Sequence, residues 1–202
     1  MLQAAELECE RGGRTLFRAL SFVVEPGQAL RVAGANGSGK TSLLRILCGL
    51  AAPAAGEVRW RGSPIGRLRE DYARELVYIG HGAAVKDELT AQENLLVACR
   101  LGGDAVPPGE AAKALQSFGL AGEAKPVRRL SQGQRRRAAL ARLALRGARR
   151  LWLLDEPFAA LDSSGVQTLQ RLMAGHLSRG GAIVLTSHQD AGIAAAQTIE
   201  LG

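Results

Sequence analysis

The sequence predicts an α/β fold: a mostly parallel sheet with helices on both faces, an antiparallel β subdomain at the N-terminus, and an inserted α-helical subdomain. Three observations carry this. A short apolar run, Ala29 to Ala33, leads into a glycine-rich loop and then a helical run, Ser42 to Leu47. A second apolar run, Leu151-Trp152-Leu153-Leu154, ends in two carboxylates, Asp155 and Glu156. Around these, short strand-like segments alternate with helical ones, the pattern of a parallel sheet covered on both faces. The 202 residues suffice for one domain with a substantial core, read as a single unit over 1–202.

Each element has a local reason. Leu2 to Cys9 reads as a strand, Gly12-Gly13 as a turn, and Ala19 to Val24 as a second strand ending at Pro26-Gly27. The strand at Ala29, the loop and the helix follow, and Gly49 stops that helix as a C-terminal glycine does. Glu57 to Trp60 and Leu76 to Ile79 are further strands. Thr90-Ala91-Gln92-Glu93 is a capping box opening a helix through about Arg100. Gly102 to Pro108 breaks it, and Glu110 to Phe118 is the next helix. Ser131-Gln132-Gly133-Gln134 is a second capping box, opening a long helix through about Leu145. The insert runs from Leu89 to Val127; with the start of the next helix the helical subdomain spans 89–138. Strand Leu151–Leu154, a helix from Gly165 to Leu177, strand Ala182–Leu185 and a short strand near Ile199 complete the chain. His176, mid-helix among polar neighbours, reads as a surface residue.

Gly34-Ala35-Asn36-Gly37-Ser38-Gly39-Lys40-Thr41 fits the spacing Gly, any four, Gly, Lys, Ser or Thr. The glycines let the backbone turn tightly and aim its N–H groups at phosphate oxygens. Lys40 reaches the outer phosphates, and Thr41 offers a hydroxyl to Mg²⁺. A strand before and a helix after place the phosphates at a helix N-terminus, where Ser42 also lies. A chance glycine turn would lack those flanks. This core resembles that of a P-loop NTPase (RecA-like). Asp155, at the C-terminal edge of a strand, can hold Mg²⁺ through its water shell, and Glu156 can polarise a water for in-line attack. Ser131, with its glycine, forms a phosphate-sized nest at a helix start. His188 follows a strand on the same sheet edge and reads as a γ-phosphate contact.

Together these segments resemble, over essentially the whole chain, the nucleotide-binding domain of ABC transporters. The resemblance implies ATP and Mg²⁺ as cofactors. It makes Gly34 to Thr41 the Walker A loop, Asp155 the Walker B aspartate, Glu156 the catalytic glutamate and His188 the switch histidine. Ser131, Gly133 and Gln134 match the signature, with Gln132 replacing its usual first glycine, and Ala160-Leu161-Asp162 match the D-loop. It also implies a head-to-tail homodimer, in which Ser131 and Gly133 of one copy cover ATP held by Lys40 and Thr41 of the other.

Two departures stand out. The family usually stacks an aromatic on adenine near the first turn; here Arg11-Gly12-Gly13-Arg14 occupies that region. Arg11 can stack through its guanidinium plane, and Phe17 is the other candidate. The family's glutamine after the buried strand is replaced by His81, in Tyr78-Ile79-Gly80-His81-Gly82. A neutral imidazole accepts from a metal-bound water and an imidazolium cannot. The segments Leu7 to Arg11, Ile79-Gly80-His81 and Trp152 to Phe158 are also similar to the ATP-binding subunit of the bacterial cytochrome c maturation system, a haem-handling ABC exporter. That implies transmembrane ABC subunits as partners and ATP hydrolysis coupled to haem release.

Composition sets the bounds. No apolar run is long enough to cross a bilayer, and Met1 to Glu6 lack the basic-then-apolar layout of a signal peptide. The expected location is the cytoplasmic face of the inner membrane, with membrane association through partners. Cys9, Cys48 and Cys99 are too widely spaced for a metal cluster or a disulfide framework, and Cys48 reads as core. The net charge is +7, with basic residues spread from Arg11 to Arg179 and clustered at Arg128-Arg129, Arg135-Arg136-Arg137 and Arg149-Arg150, and aromatics are only 4%. Without aromatic interleaving this reads as solvated helix faces, with anionic lipid second and no direct nucleic-acid partner. An ABC exporter of another small molecule or lipid is an alternative. A soluble ABC ATPase on nucleic acid generally carries paired cassettes or coiled-coil inserts, and a GTPase would need an Asn-Lys-x-Asp motif; this chain has none of these.

Overall fold

The structure is a computed structural model, described over residues 1–120, 122, 124–145, 149–187, 192 and 196–202. Two strands open it, β1 (Leu2–Arg11) and β2 (Arg14–Val24). Then come β3 (Ala29–Gly34), α1 (Lys40–Leu47), β4 (Ala55–Trp60), β5 (Ser63–Pro64), α2 (Ile65–Leu68), α3 (Glu70–Glu75) and β6 (Leu76–Ile79). The helical stretch holds α4 (Ala91–Leu101), α5 (Pro108–Ser117), a 3₁₀ turn (Val127–Arg129), α6 (Gln132–Leu140) and α7 (Arg142–Leu145). The chain closes with β7 (Leu151–Leu154), α8 (Ser163–Ser178), β8 (Ala182–Thr186) and β9 (Ala196–Leu201).

Two sheets result. An antiparallel sheet has the order β2-β1-β4-β5, and a parallel sheet the order β6-β7-β8-β3-β9. Every pairing in the second sheet is parallel. The antiparallel sheet is thus completed by strands that follow α1, and α1 packs between the sheets. Alternation along the central strands builds both layers. Leu151 and Leu153 of β7 join Leu43 and Leu44 of α1 and Leu7 and Val58 of the antiparallel sheet. Trp152 and Leu154 point the other way, to Leu95, Leu115, Leu140 and Met173 of the helices. A fully buried leucine of this kind contributes about 1.5–3 kcal/mol, so β7, with all four residues buried, anchors both layers.

Several sequence expectations need correction. The helix opened at Ser131 does not run unbroken to Leu145: Ala144 N–H donates to Ala141 O at 3.1 Å, a tighter i, i+3 bond that interrupts it at Ala141. The elements β5, α2 and α3 are too short for periodicity to register. Cys48 ends α1 and is only half-buried, while Cys9 and Cys99 are buried. The arginine clusters are not wholly solvated either. Arg149 is buried, with Nη2 donating to Gly102 O at 2.6 Å and Asp104 Oδ2 at 3.0 Å. Arg136 is buried too, at the site described below.

His176 is the plainest reversal. It is 1% exposed and stacks on Trp152, with ring centroids 4.0 Å apart and planes 11° off parallel. Leu169, Met173 and His176 follow a 4, 3 spacing that puts all three on the buried face of α8. Gly181 lies against the ring, where a Cβ would overlap the imidazole. Burial pulls the His176 pKa down from its ordinary 6.5 to about 4. The unfolded chain takes a proton here at the ordinary value while the fold refuses it, so the contribution is complete above about pH 6.5 and lost as pH falls through about 4. Denaturant unfolding should show this as a loss of up to about 3 kcal/mol. His176→Phe, which keeps a ring on Trp152, should flatten the dependence; an unchanged slope would contradict it.

Candidate functional site

Because β6, β7, β8 and β3 run parallel, their C-terminal ends share one edge. The glycine-rich loop leaves β3 there. Gly34 has φ 138°, and a Cβ on it would overlap Leu201 O of β9. Gly39 caps α1 with φ 102° and packs on Leu16 and Phe17. Unlike α4 and α6, which both carry complete capping boxes, α1 has no side-chain cap and no acidic residue in its first turn. Its leading N–H groups are therefore left to an anion. The Ser38 hydroxyl is buried with no hydrogen-bond partner among the described residues. Lys40 Nζ donates to Gly34 O at 2.7 Å and Ala35 O at 2.9 Å, which holds its ammonium inside the loop.

The carboxylates are fixed by a chain of hydroxyls. Thr41 Oγ1 donates to Asp155 Oδ2 at 2.8 Å, and Thr186 Oγ1 donates to Asp155 Oδ1 at 2.8 Å. Asp155 is 1% exposed. Thr186 Oγ1 also accepts from Glu156 N–H at 2.8 Å. Glu156 has φ 46°, a left-handed conformation that costs a non-glycine residue of the order of 1–3 kcal/mol. Its backbone is held from both sides, by Thr186 at the N–H and by Arg136 at the carbonyl.

A cleft of about 660 Å³ opens over this edge. It is lined by Asn36, Gly37, Gly39, Lys40, Thr41 and Ser42 of the loop and helix, together with Arg11, His81, Asp155 and Glu156. Gly34, Ala35 and Ser38 form the loop behind that lining. Of the two adenine candidates, Arg11 is exposed and lines the cleft, whereas Phe17 is buried in the core beneath Gly39. Ser131, Gly133 and Gln134 are not part of this lining. Ser131 Oγ accepts from Gln134 N–H at 3.2 Å, and Gln134 Oε1 accepts from Ser131 N–H at 2.9 Å. Gly133 lies so close to Ala160 O that a Cβ would stand 2.7 Å from it. His188 lies outside the described residues. Thr41 and Asp155 fit Mg²⁺: they are hard oxygen donors in direct contact, and Mg²⁺ beside phosphates needs only one or two protein ligands.

Residues 17–159 match the model of the ABC transporter family. The chain belongs to the ABC transporter family. It is 54% identical over 200 residues to a cytochrome c biogenesis ATP-binding export protein of Aromatoleum aromaticum, covering 98% of this chain and 94% of that one. A protein of the same description from Pseudomonas aeruginosa is 50% identical over the whole of both chains. Among solved structures, an ABC transporter ATP-binding protein from Pyrococcus furiosus, described as putative, superposes with TM-score 0.85 at 23% identity, covering 99% of this chain and 96% of that one. A dimeric ATP-binding cassette bound to ADP and Pi superposes with TM-score 0.78 at 23% identity, covering 94% and 88%. These two establish the shared fold.

In this ABC cassette two residues central to the site geometry escaped sequence reasoning. Thr186 ends the apolar strand β8, and nothing local marks its hydroxyl as a partner of Asp155. Arg136 sat in a run of three arginines that read as a solvated face. The one available signal was the position of Arg136 on the same helical face as Leu140, which is fully buried.

Proposed function

We propose that this chain is the ATP-binding and ATP-hydrolysing subunit of an ABC exporter complex serving cytochrome c biogenesis, with haem as the group its complex handles. The observation that carries the ATPase reading is one cleft that unites the phosphate loop, Asp155 and Glu156. Identity of 50–54% over nearly the whole chain with proteins described as cytochrome c biogenesis ATP-binding export proteins supports the finer assignment.

The phosphates lie along Gly34 to Ser42, with Lys40 on the outer oxygens and Arg11 against the adenine. Thr41 and Asp155 would hold Mg²⁺, which would neutralise charge on the phosphate oxygens. Glu156 orients a water in line with the γ-phosphorus and accepts its proton. The water oxygen bonds to the γ-phosphorus as the bond from that phosphorus to the bridging oxygen breaks, and ADP and phosphate leave. His188 would serve as the γ-phosphate contact, and His81 would accept from a metal-bound water. Ser131, Gly133 and Gln134 cover the nucleotide of a second copy, so two equivalent sites form in an isologous dimer. Among the described residues no helix is long and apolar enough to cross a membrane. On the proposed reading, transmembrane subunits supply the path, and this chain sits against them at the cytoplasmic face of the inner membrane.

Purifying the chain with its native membrane subunits and recording a haem absorption spectrum tests the assignment. Co-purification with a haem spectrum that changes on ATP turnover is expected. An ATP-hydrolysing complex that carries no haem would reassign the cargo and leave the ATPase reading standing.

A further inference from the structure

Arg136 is 5% exposed and lies on the buried side of α6. Its Nη1 donates to Gly80 O at 2.8 Å and His81 O at 3.3 Å. Its Nη2 donates to Asp155 O at 2.6 Å and Glu156 O at 2.8 Å. Four backbone carbonyls from the ends of β6 and β7 thus converge on one guanidinium. Its Nε has no hydrogen-bond partner among the described residues, so the side chain is placed for these carbonyls and little else. Burial lowers the Arg136 pKa, and the Asp155 and Glu156 carboxylates oppose that shift.

The geometry is specific to a planar fork. Two nitrogens, each shared between two carbonyls, span the gap between neighbouring strand ends; an ammonium on a flexible stem cannot bridge both pairs. The carbonyls are also the ones that matter. Two belong to the Gly80-His81 turn and two to Asp155-Glu156, where Glu156 holds its left-handed backbone. The same helix opens with the Ser131 cap, about 7–8 Å away along the axis at 1.5 Å per residue.

We propose that Arg136 is a positioning residue for hydrolysis: it ties α6 to the backbone of Glu156 and to the His81 turn, and so fixes where the Glu156 carboxylate and the His81 imidazole point. This rests on the ATPase reading above. Arg136 does not line the cleft and acts through the groups it holds. A displacement of Glu156 by about 1 Å is enough to cost on the order of 100-fold in rate, while the phosphate loop, which Arg136 does not contact, keeps its grip on ATP.

The test is Arg136→Gln and Arg136→Lys in the full chain, assayed beside wild type in the same complex or vesicles. MgATP affinity, kcat, KM and Tm are measured for each. The expected result is kcat lower by about 10- to 100-fold, with ATP affinity within about two-fold of wild type. Arg136→Lys, which keeps the charge, should recover part of what Arg136→Gln loses. Unchanged kcat in either folded variant overturns the proposal. So does a parallel loss of kcat, ATP affinity and Tm, or the failure of both variants to fold, because each marks a structural residue alone. If wild type itself hydrolyses no ATP, it is the ATPase reading that fails, and that outcome is visible before any variant is compared.

Discussion

Glu156→Gln should bind MgATP as tightly as wild type, lose turnover by about 10²–10⁴-fold, and accumulate as an ATP-bound dimer. The substitution keeps the size of the side chain and removes only its ability to take a proton from water. The backbone there is held independently of the side chain: Glu156 N–H bonds Thr186 Oγ1 at 2.8 Å and Glu156 O bonds Arg136 Nη2 at 2.8 Å. The left-handed turn therefore survives, and the loss reports chemistry rather than misfolding. Removing a negative charge near the γ-phosphate also relieves repulsion, which favours the closed dimer. Phosphate release and light scattering with ATP measure the two halves of this result. A Glu156→Gln protein that stays monomeric and fully active would remove Glu156 from the mechanism.

Lys40→Ala and Ser131→Arg should each abolish ATPase as homodimers, yet mixing them should restore activity. The phosphate loop and the Ser131 cap do not line the same cleft within one chain, and in the proposed function a complete site takes one from each of two copies. In a mixed dimer both lesions fall in one site and the other site is intact. With random pairing, half the dimers are mixed and each has one working site of two, giving up to about a quarter of the wild-type rate. No recovery on mixing, with mixed dimers verified by differential tags, would mean that Ser131 acts within its own chain. Lys40 is suited to the test because its ammonium sits inside the loop on Gly34 and Ala35 carbonyls, so its loss strikes phosphate binding directly.

Much of this site is written in short stretches of sequence. The spacing of Gly34, Gly39 and Lys40 encodes a loop, and the apolar run before Asp155 encodes a buried strand that must deliver its carboxylate at the sheet edge. Both capping boxes are present as the spacing of Thr90 with Glu93 and Ser131 with Gln134 requires. Such features are local, so a few residues of the correct type suffice to specify them. His176 is polar among polar neighbours, yet its 4, 3 spacing with Leu169 and Met173 places it on the buried face. Arg11 and Phe17 were equal candidates until the β1–β2 hairpin was formed. Its pairing puts Arg11 opposite Arg14 at the tip and Phe17 opposite Cys9 on the inward face, and one pleat separates the cleft from the core.

By itself, then, the sequence determined a phosphate-loop spacing, an aspartate and a glutamate at the end of a buried strand, and the class of sheet that joins them. Tertiary structure alone decided what holds those groups in place. Thr186 reaches Asp155 across 31 residues of chain, and Arg136 reaches Gly80 across 56. Hydrogen bonds of that span depend on parallel strands and α6 arriving together, and no local pattern encodes them. The same assembly explains why a run of arginines that looked solvated supplies one buried guanidinium: only when β6 and β7 end side by side do four carbonyls meet at one point.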